Sequence, residues 1–258
     1  MRKKGKNNPR PMPHTRCLTL KTTGKAAKIL ANMRTVSGGA VRASRAHGLL
    51  LLGGEGPERA ALEPILPLVG YVVAADAGFD LALRLGLEPD LLVGDLDSVQ
   101  HSEALARFPA ERIRRFPQAK DETDAEIGLR LLHEAGYAEV IIAGGGGGRL
   151  DHLLAVAALF ERDNPPRAWY TAREHVALVD AELAVAGCHG QTVSLFPLGS
   201  GASGLSSEGL RWPLRGHWRR GQAGISNVVD GEGFRVGVRR GRLLMVRALG
   251  DEQHAGQD

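Results

Sequence analysis

Short apolar runs that each stop at glycine or aspartate constrain this chain more than any other feature. Gly48–Leu52, Tyr71–Ala75, Leu91–Val93 and Val140–Ala143 are such runs, and Arg112–Phe116 reads as a further, weak strand. Their lengths suit buried strands rather than helices. Helical patterns fall between them. Pro57–Leu66 opens with proline in its first turn. Asp80–Leu85 stops near Gly86. Thr123–Ala135 starts on a capping box, Thr123 with Glu126, and ends before Gly136. Leu150–Phe160 follows a glycine run. Strands alternating with helices predict an α/β fold: a mainly parallel sheet with flanking helices.

The pattern changes after about Pro165. Val176–Val179, Thr192–Phe196, Phe234–Val238 and Leu243–Arg247 are short runs divided by Gly, Ser, Asp and Pro. They predict a small antiparallel β-sandwich-like domain. The expected organisation is residues 1–45 as a basic, disordered extension, 46–165 as a catalytic α/β domain, 166–250 as a β domain and 251–258 as a tail.

Charge supports that division. Residues 1–45 hold twelve Lys or Arg and no acid, so the formal charge of +4 belongs to the extension and the remainder is acidic. A basic arm could meet nucleic acid or an acidic surface, or serve targeting; a dispensable extension is the preferred reading, and nucleic acid is not an expected partner. No apolar stretch is long enough to span a membrane. Cys17 and Cys188 are too far apart for a metal motif or a disulfide framework. A reducing, cytoplasmic setting is the expectation.

Chemistry concentrates where the predicted strands end, the edge at which open α/β sheets bind ligands. Four patches lie there: Ala74–Gly78 (AADAG), Gly94–Ser98 (GDLDS), Lys120–Asp124 (KDETD) and Gly144–His152 (GGGGGRLDH). Carboxylates gathered on one rim repel one another unless a cation sits between them, and Mg²⁺ suits oxygen ligands and accompanies phosphates. If Gly94–Ser98 is extended, Asp95 and Asp97 point the same way and can share an ion; an ordinary Asp-rich turn is the plain alternative. Asp121, Glu122 and Asp124 surround a helix start, where one acid would be enough for a cap. Lys120 is a point charge suited to a phosphate oxygen. The glycine run offers backbone N–H groups to an anion, or is a flexible turn. Arg149 adds a fixed cation at its mouth. His152 reads as a structural histidine. Downstream, Gly209–Leu214 sets Trp212 beside Arg211 and Pro213, a face for stacking a flat cation or simply core. Ser226 and Asn227 are short polar groups in a turn-like segment.

Taken together in order and spacing, these motifs resemble the thiamine pyrophosphokinase family, in its bacterial form, over residues 48 to about 248. Asp76 falls in an ADGG-like segment, Pro89–Ser98 is similar to a PD…GDxDS motif, Lys120–Asp124 to KDxTD, and Gly145–His152 to GxxGGRxDH. Gly209–Leu214 and Gly224–Asn227 resemble GLxxPL and G-I/L-SN. The resemblance implies an ATP-binding α/β domain, a β domain for the acceptor, and a homodimer with active sites at the subunit interface. It implies transfer of pyrophosphate from ATP to the hydroxyl of thiamine, with AMP released. By position, Asp95, Asp97 and Asp124 would hold Mg²⁺, with Asp76 and Asp121 as catalytic neighbours. Lys120, Thr123, Gly147, Gly148, Arg149 and Asp151 would contact the nucleotide. Trp212, Ser226 and Asn227 would line the thiamine pocket. Two departures stand inside the motifs: Ala77 replaces a usual glycine, and Val228 and Val229 replace the Glu-Phe-like continuation after the SN pair. The alternatives are a pyrophosphokinase for another hydroxymethyl heterocycle, such as a reduced pterin, or a non-catalytic nucleotide-binding protein.

Overall fold

The computed structural model describes residues 46–117 and 121–250. The extension, the C-terminal tail, Cys17 and Lys120 lie outside the described residues. The strands are β1 His47–Leu52, β2 Val69–Ala75, β3 Leu91–Gly94, β4 Ile113–Arg115, β5 Glu139–Ala143, β6 Ala168–Tyr170, β7 Glu174–Val179, β8 Glu182–Ala186, β9 Thr192–Glu208, β10 Arg215–Arg219, β11 Gly224–Val228, β12 Gly233–Gly237 and β13 Arg240–Ala248. The helices are α1 Arg59–Leu62, α2 Gly78–Leu85, α3 Ser102–Arg107, α4 Asp124–Glu134 and α5 Leu150–Ala158.

The α/β reading holds. The strand order β4-β3-β2-β1-β5-β6 is parallel throughout. From β6 onward the pairing is antiparallel, through β7, β13, β9, β12 and β8, with β10 and β11 also on β9. Alternate residues of each central strand feed opposite faces. Leu50, Leu52, Val73 and Ile142 pack with Ile127, Leu131 and Leu132 of α4 and Val156 of α5. Leu49, Leu51, Ala74 and Ile141 pack with Phe79, Leu81 and Leu85 of α2. The antiparallel part closes its own core on Val193, Leu195, Val229, Phe234 and Met245.

Local chemistry explains where the elements start and stop. Thr123 and Glu126 form the expected capping box, and Gly136 follows the C-cap of α4 with φ 92°. The helix expected over Pro57–Leu66 is shorter: α1 is four residues and a 3₁₀ turn follows at Leu66–Leu68. Pro64 and Pro67 cannot donate the N–H groups a longer helix needs. Strand β9 runs 17 residues, far beyond the expected Thr192–Phe196. Its Gly199, Gly201 and Gly204 read as turns in sequence, yet at φ 58°, 118° and 65° they bend one strand so that it serves several partners. Among the described residues no helix is long and apolar enough to cross a membrane.

One buried histidine sits at the seam between the two kinds of sheet. His175 of β7 stacks on Tyr170 of β6 (centroids 4.5 Å apart) and pairs in register with Arg247 of β13. Its Nδ1 is buried and, among the described residues, has no hydrogen-bond partner. Burial first, and the Arg247 charge second, hold the imidazole at about 4, below its ordinary 6.5. The unfolded chain therefore takes the proton before the folded one does. Stability is full above about pH 6.5 and falls as pH drops towards 4, by about 3 kcal/mol from this group. Denaturant unfolding at about pH 7.5 and about pH 4.5 should show the native chain losing that much more than His175→Phe. Equal losses in the two proteins would mean that His175 is not buried neutral.

Candidate functional site

The parallel strand order creates the site. After β1 the chain moves to one side, to β2, and after β5 it moves to the other, to β6. Connections that part at adjacent strands leave a crevice beyond the strand ends. Here the two departing loops hold each other: Glu55 N–H donates to Gly146 O (2.8 Å), Gly146 N–H to Glu55 O (2.9 Å) and Gly145 N–H to Gly53 O (2.9 Å). A cleft of about 980 Å³ opens there, walled by the ends of β1, β2, β3 and β5 and by the starts of α4 and α5.

Acids occupy one end of the cleft. Asp76 follows β2 in the left-handed region, φ 46°. Its carboxylate accepts the Leu96 N–H at 3.0 Å and so ties the β2 end to the GDLDS loop. Gly94 is obligatory beneath it, since a Cβ there would fall 1.8 Å from Asp76 Oδ1. Burial first, then a hydrogen bond to and the charge of Asp124, and the charge of Asp95, push the Asp76 carboxyl up to about 7. Asp97 is raised as well, by its hydrogen bond with and the charge of Asp95, and further by Asp124. The acids after β2 and β3 thus face the acid that starts α4.

The GDLDS loop is not extended as expected. Leu96 has φ 67°, and Asp97 N–H donates back to Asp95 Oδ1 at 3.2 Å. Asp95 and Asp97 approach through a tight turn rather than strand alternation. Arg115 Nη1 on β4 donates to Asp95 O at 3.0 Å and braces that turn. Ala77 takes an ordinary right-handed φ of −60°, so no glycine is required there. The strained residue is Asp76 itself. Among the described residues, the non-glycine positions with positive φ are Asp76, Leu96 and Ser226, all inside the motifs.

Around the start of α4 the three acids divide. Glu122 pairs with Arg130 (2.9 and 3.1 Å), and that bond holds its carboxyl below the usual range. All three line the cleft, Asp121 and Asp124 on either side of the capping threonine. The Thr123 hydroxyl accepts the Glu126 N–H at 3.3 Å and donates to Glu126 Oε2 at 2.9 Å, so the cap occupies it. On the opposite wall, Gly147 and Gly148 are left-handed, and Arg149 Nε donates to Asp151 Oδ1 at 3.1 Å in an exposed ion pair.

The β side is arranged differently. Asn227 is buried and its amide frames the Trp212 loop: it accepts from Trp212 N–H (3.1 Å) and donates to Trp212 O (2.7 Å). Trp212 is 57% exposed, with Arg211 at 5.7 Å over its ring and held by Asp230. Ser226 donates its N–H to Ser194 Oγ at 3.1 Å, in a left-handed conformation. Trp212, Ser226 and Asn227 lie outside the walls of the acidic cleft in one chain. Val229, one of the departures, is fully buried core.

Cleft residues that sequence reasoning missed are Glu55, Asp80, Arg84 and Gln100. Asp80 accepts N–H bonds from Gln100 and His101 and pairs with His101 Nδ1 (2.6 Å), fixing the loop that follows GDLDS. Its position four residues after Asp76 on a helix start was the available signal.

The donor set fits Mg²⁺. It consists of hard carboxylate oxygens that repel one another. Among the described residues no three such side chains yet stand close enough to share an ion. Mg²⁺ keeps several waters and takes only one or two carboxylates directly, so a wider cradle suits it.

An open parallel sheet whose switch-point cleft is lined by acids and glycines, continued by an antiparallel β unit, defines an α/β protein with a ligand cleft at its switch point. Comparison with known families sharpens this. Residues 65–166 match the model described as "Thiamin pyrophosphokinase, catalytic domain", and residues 178–243 match "Thiamin pyrophosphokinase, vitamin B1 binding domain". The chain belongs to the thiamin pyrophosphokinase family. Similar solved structures include thiamine pyrophosphokinase from Bacillus subtilis (22% identity, 78% of this chain and 98% of that one, TM-score 0.65). The enzyme from Geobacillus thermodenitrificans shares 24% identity over 80% of this chain and 99% of its own, TM-score 0.63. That from Candida albicans shares 18% over 79% and 89%, TM-score 0.57. At these identities the likeness is one of fold. No curated protein matches the chain.

Proposed function

We propose that the protein transfers the terminal pyrophosphoryl group of ATP to the hydroxyl of thiamine, forming thiamine diphosphate and AMP. The observation that carries this reading is the meeting of Asp76, Asp95, Asp97 and Asp124 across the switch-point cleft, facing a glycine-lined helix start. In the reaction the thiamine hydroxyl oxygen bonds to the β-phosphorus and gives its proton to water, the bond from that phosphorus to the oxygen shared with the α-phosphate breaks, and AMP leaves with that oxygen. Such a transfer needs positioning and charge neutralisation more than covalent help.

Asp95, Asp97 and Asp124 would hold Mg²⁺, which supplies neutralisation of the phosphate charge. Asp76 keeps the Asp95–Asp97 turn in place through Leu96. Arg149, and Lys120 outside the described residues, supply cations for phosphate oxygens. Thr123 contributes by fixing the start of α4, which aims the helix N-terminus into the cleft. Trp212 is the face for the cationic thiazolium or the pyrimidine, with Asn227 as its frame.

The reading extends to a homodimer with shared active sites. Trp212 is not among the residues that wall the cleft of its own chain, and Leu150, Leu154, Trp212 and Ile225 are 68, 61, 57 and 67% exposed, large apolar side chains that a second copy would cover. Asp97→Asn should abolish thiamine diphosphate formation, and Trp212→Ala should weaken thiamine binding far more than ATP binding. Mixing the two variants under exchange should recover up to about a quarter of native activity, from mixed dimers with one intact site. A thiamine-dependent AMP assay reads the result. Activity that never rises above the sum of the two variants would leave each site within one chain, and AMP release with a reduced pterin but not with thiamine would change the acceptor.

A further inference from the structure

Glu55 is an acid where an acid is unwelcome. Its side chain lies across the glycine run: a Cβ on Gly147 would fall 2.6 Å from Glu55 Cδ and 2.9 Å from Oε1. That run faces the cleft in which a triphosphate would lie, and a carboxylate beside phosphate is repulsive at close range. Its backbone is nonetheless locked there by the paired bonds to Gly146. Glu55 is also set apart from the acid cluster. The Gly53–Gly56 loop runs along α2, with Gly53 against Ala77 and Gly56 against Leu81 and Arg84. From Ala77 to Arg84 a helix rises roughly 10 Å. Glu55 therefore stands towards the end of the cleft away from Asp76. The surface beneath it is apolar, with Leu52 and Val156 packed under Gly145.

We propose that Glu55 reads the ribose of the bound nucleotide, its carboxylate accepting the vicinal 2′- and 3′-hydroxyls, while the apolar floor takes the base. This rests on the ATP reading above. Two adjacent O–H donors match the two oxygens of one carboxylate. The ribose is the uncharged part of the nucleotide next to the phosphates, so it is the part that tolerates an acid beside the phosphate loop. The role makes the protein selective for ribonucleotides over 2′-deoxyribonucleotides.

The test uses the full chain with Mg²⁺, and Glu55→Gln and Glu55→Ala, which leave the backbone bonds to Gly146 in place. Calorimetry measures binding of α,β-methylene-ATP and its 2′-deoxy form, and initial rates compare ATP, 2′-deoxy-ATP and ITP with thiamine. The native protein should bind the ribo form roughly 10- to 100-fold more tightly than the deoxy form. Glu55→Ala should abolish the ribo/deoxy ratio, the ribo form losing both hydroxyl contacts and the deoxy form losing only its remaining 3′ contact and so weakening far less, with Glu55→Gln between. Equal weakening of both forms, or an unchanged ratio, overturns the inference. So does a loss confined to the discrimination between ATP and ITP, which would assign Glu55 to the base amino group. A native protein that binds both analogues with the expected ratio but makes no thiamine diphosphate would overturn the reaction and keep the ribose contact. One that binds neither would overturn both.

Discussion

Asp76→Asn is expected to abolish turnover while making the metal-free protein more stable above pH 7. The carboxyl of Asp76 is pushed to about 7 by burial and by Asp124 and Asp95. A folded-state value above the ordinary 3.8 means that the folded chain holds a proton the unfolded chain has lost. This group's contribution is full below about pH 4, falls as pH rises towards 7, and remains a penalty above it. Three pH units would correspond to about 4 kcal/mol, and partial exposure reduces that to about 2 kcal/mol. Asparagine removes the penalty without disturbing the backbone, since it tolerates φ 46° and can still accept the Leu96 N–H. Its amide can also donate to Asp124. One of the four negative charges that would face Mg²⁺ is lost beside its three ligands, so thiamine diphosphate formation should drop at least about a hundredfold. Unfolding at about pH 8 with a chelator present, beside the rate assay, checks both halves. A variant that is less stable than native under those conditions would mean that the four acids do not repel one another as described.

Gly144→Ala is expected to unfold much of the molecule, and Gly148→Ala is not. Gly144 ends β5 with φ 93°, and a Cβ there would meet Leu52 O at 2.1 Å and Leu81 Cδ2 at 2.7 Å. Backbone strain of about 1–2 kcal/mol adds to overpacking of about 1–3 kcal/mol, a large part of a marginal total. Gly148 has φ 65° and nothing within 4 Å of its Cβ position, so alanine should cost only about 1 kcal/mol there. Denaturant midpoints of the two variants distinguish a glycine run built for close approach from a pliable turn. Equal midpoints would favour the turn.

These two sites also show what a linear reading can reach. Alternating apolar runs and capping signals act within a few residues, so the strands up to β5, the α4 capping box and the α/β class were legible. So were the acids: Asp76, Asp95 and Asp97 come just after apolar runs, and Asp121 and Asp124 flank the capping Thr123. The shape of the GDLDS turn was not. Extended geometry was the simplest expectation, but the Leu96 N–H finds its acceptor 20 residues away on Asp76, and that bond holds the loop in a left-handed bend. The course of β9 was hidden for a related reason. Its glycines satisfy turn rules locally, and only the partners on both edges make one long bent strand of them.

Glu55 marks the limit most clearly. In sequence it is one acid in a GGEGP turn, and its place over Gly147 depends on a β1–β5 adjacency that local signals do not encode. The asparagine of the SN pair is similar: its amide is consumed by Trp212, 15 residues away. The chain by itself determined the class of fold, the family and the identity of the acids, because those rest on short-range periodicity and on motifs in order. The tertiary structure decided which acids face one another, which polar groups are already committed to caps and turns, and which side of the cleft each loop walls. Those outcomes come from the order in which the strands pair, and strand order is set by burial over the whole sheet rather than by any neighbouring residue.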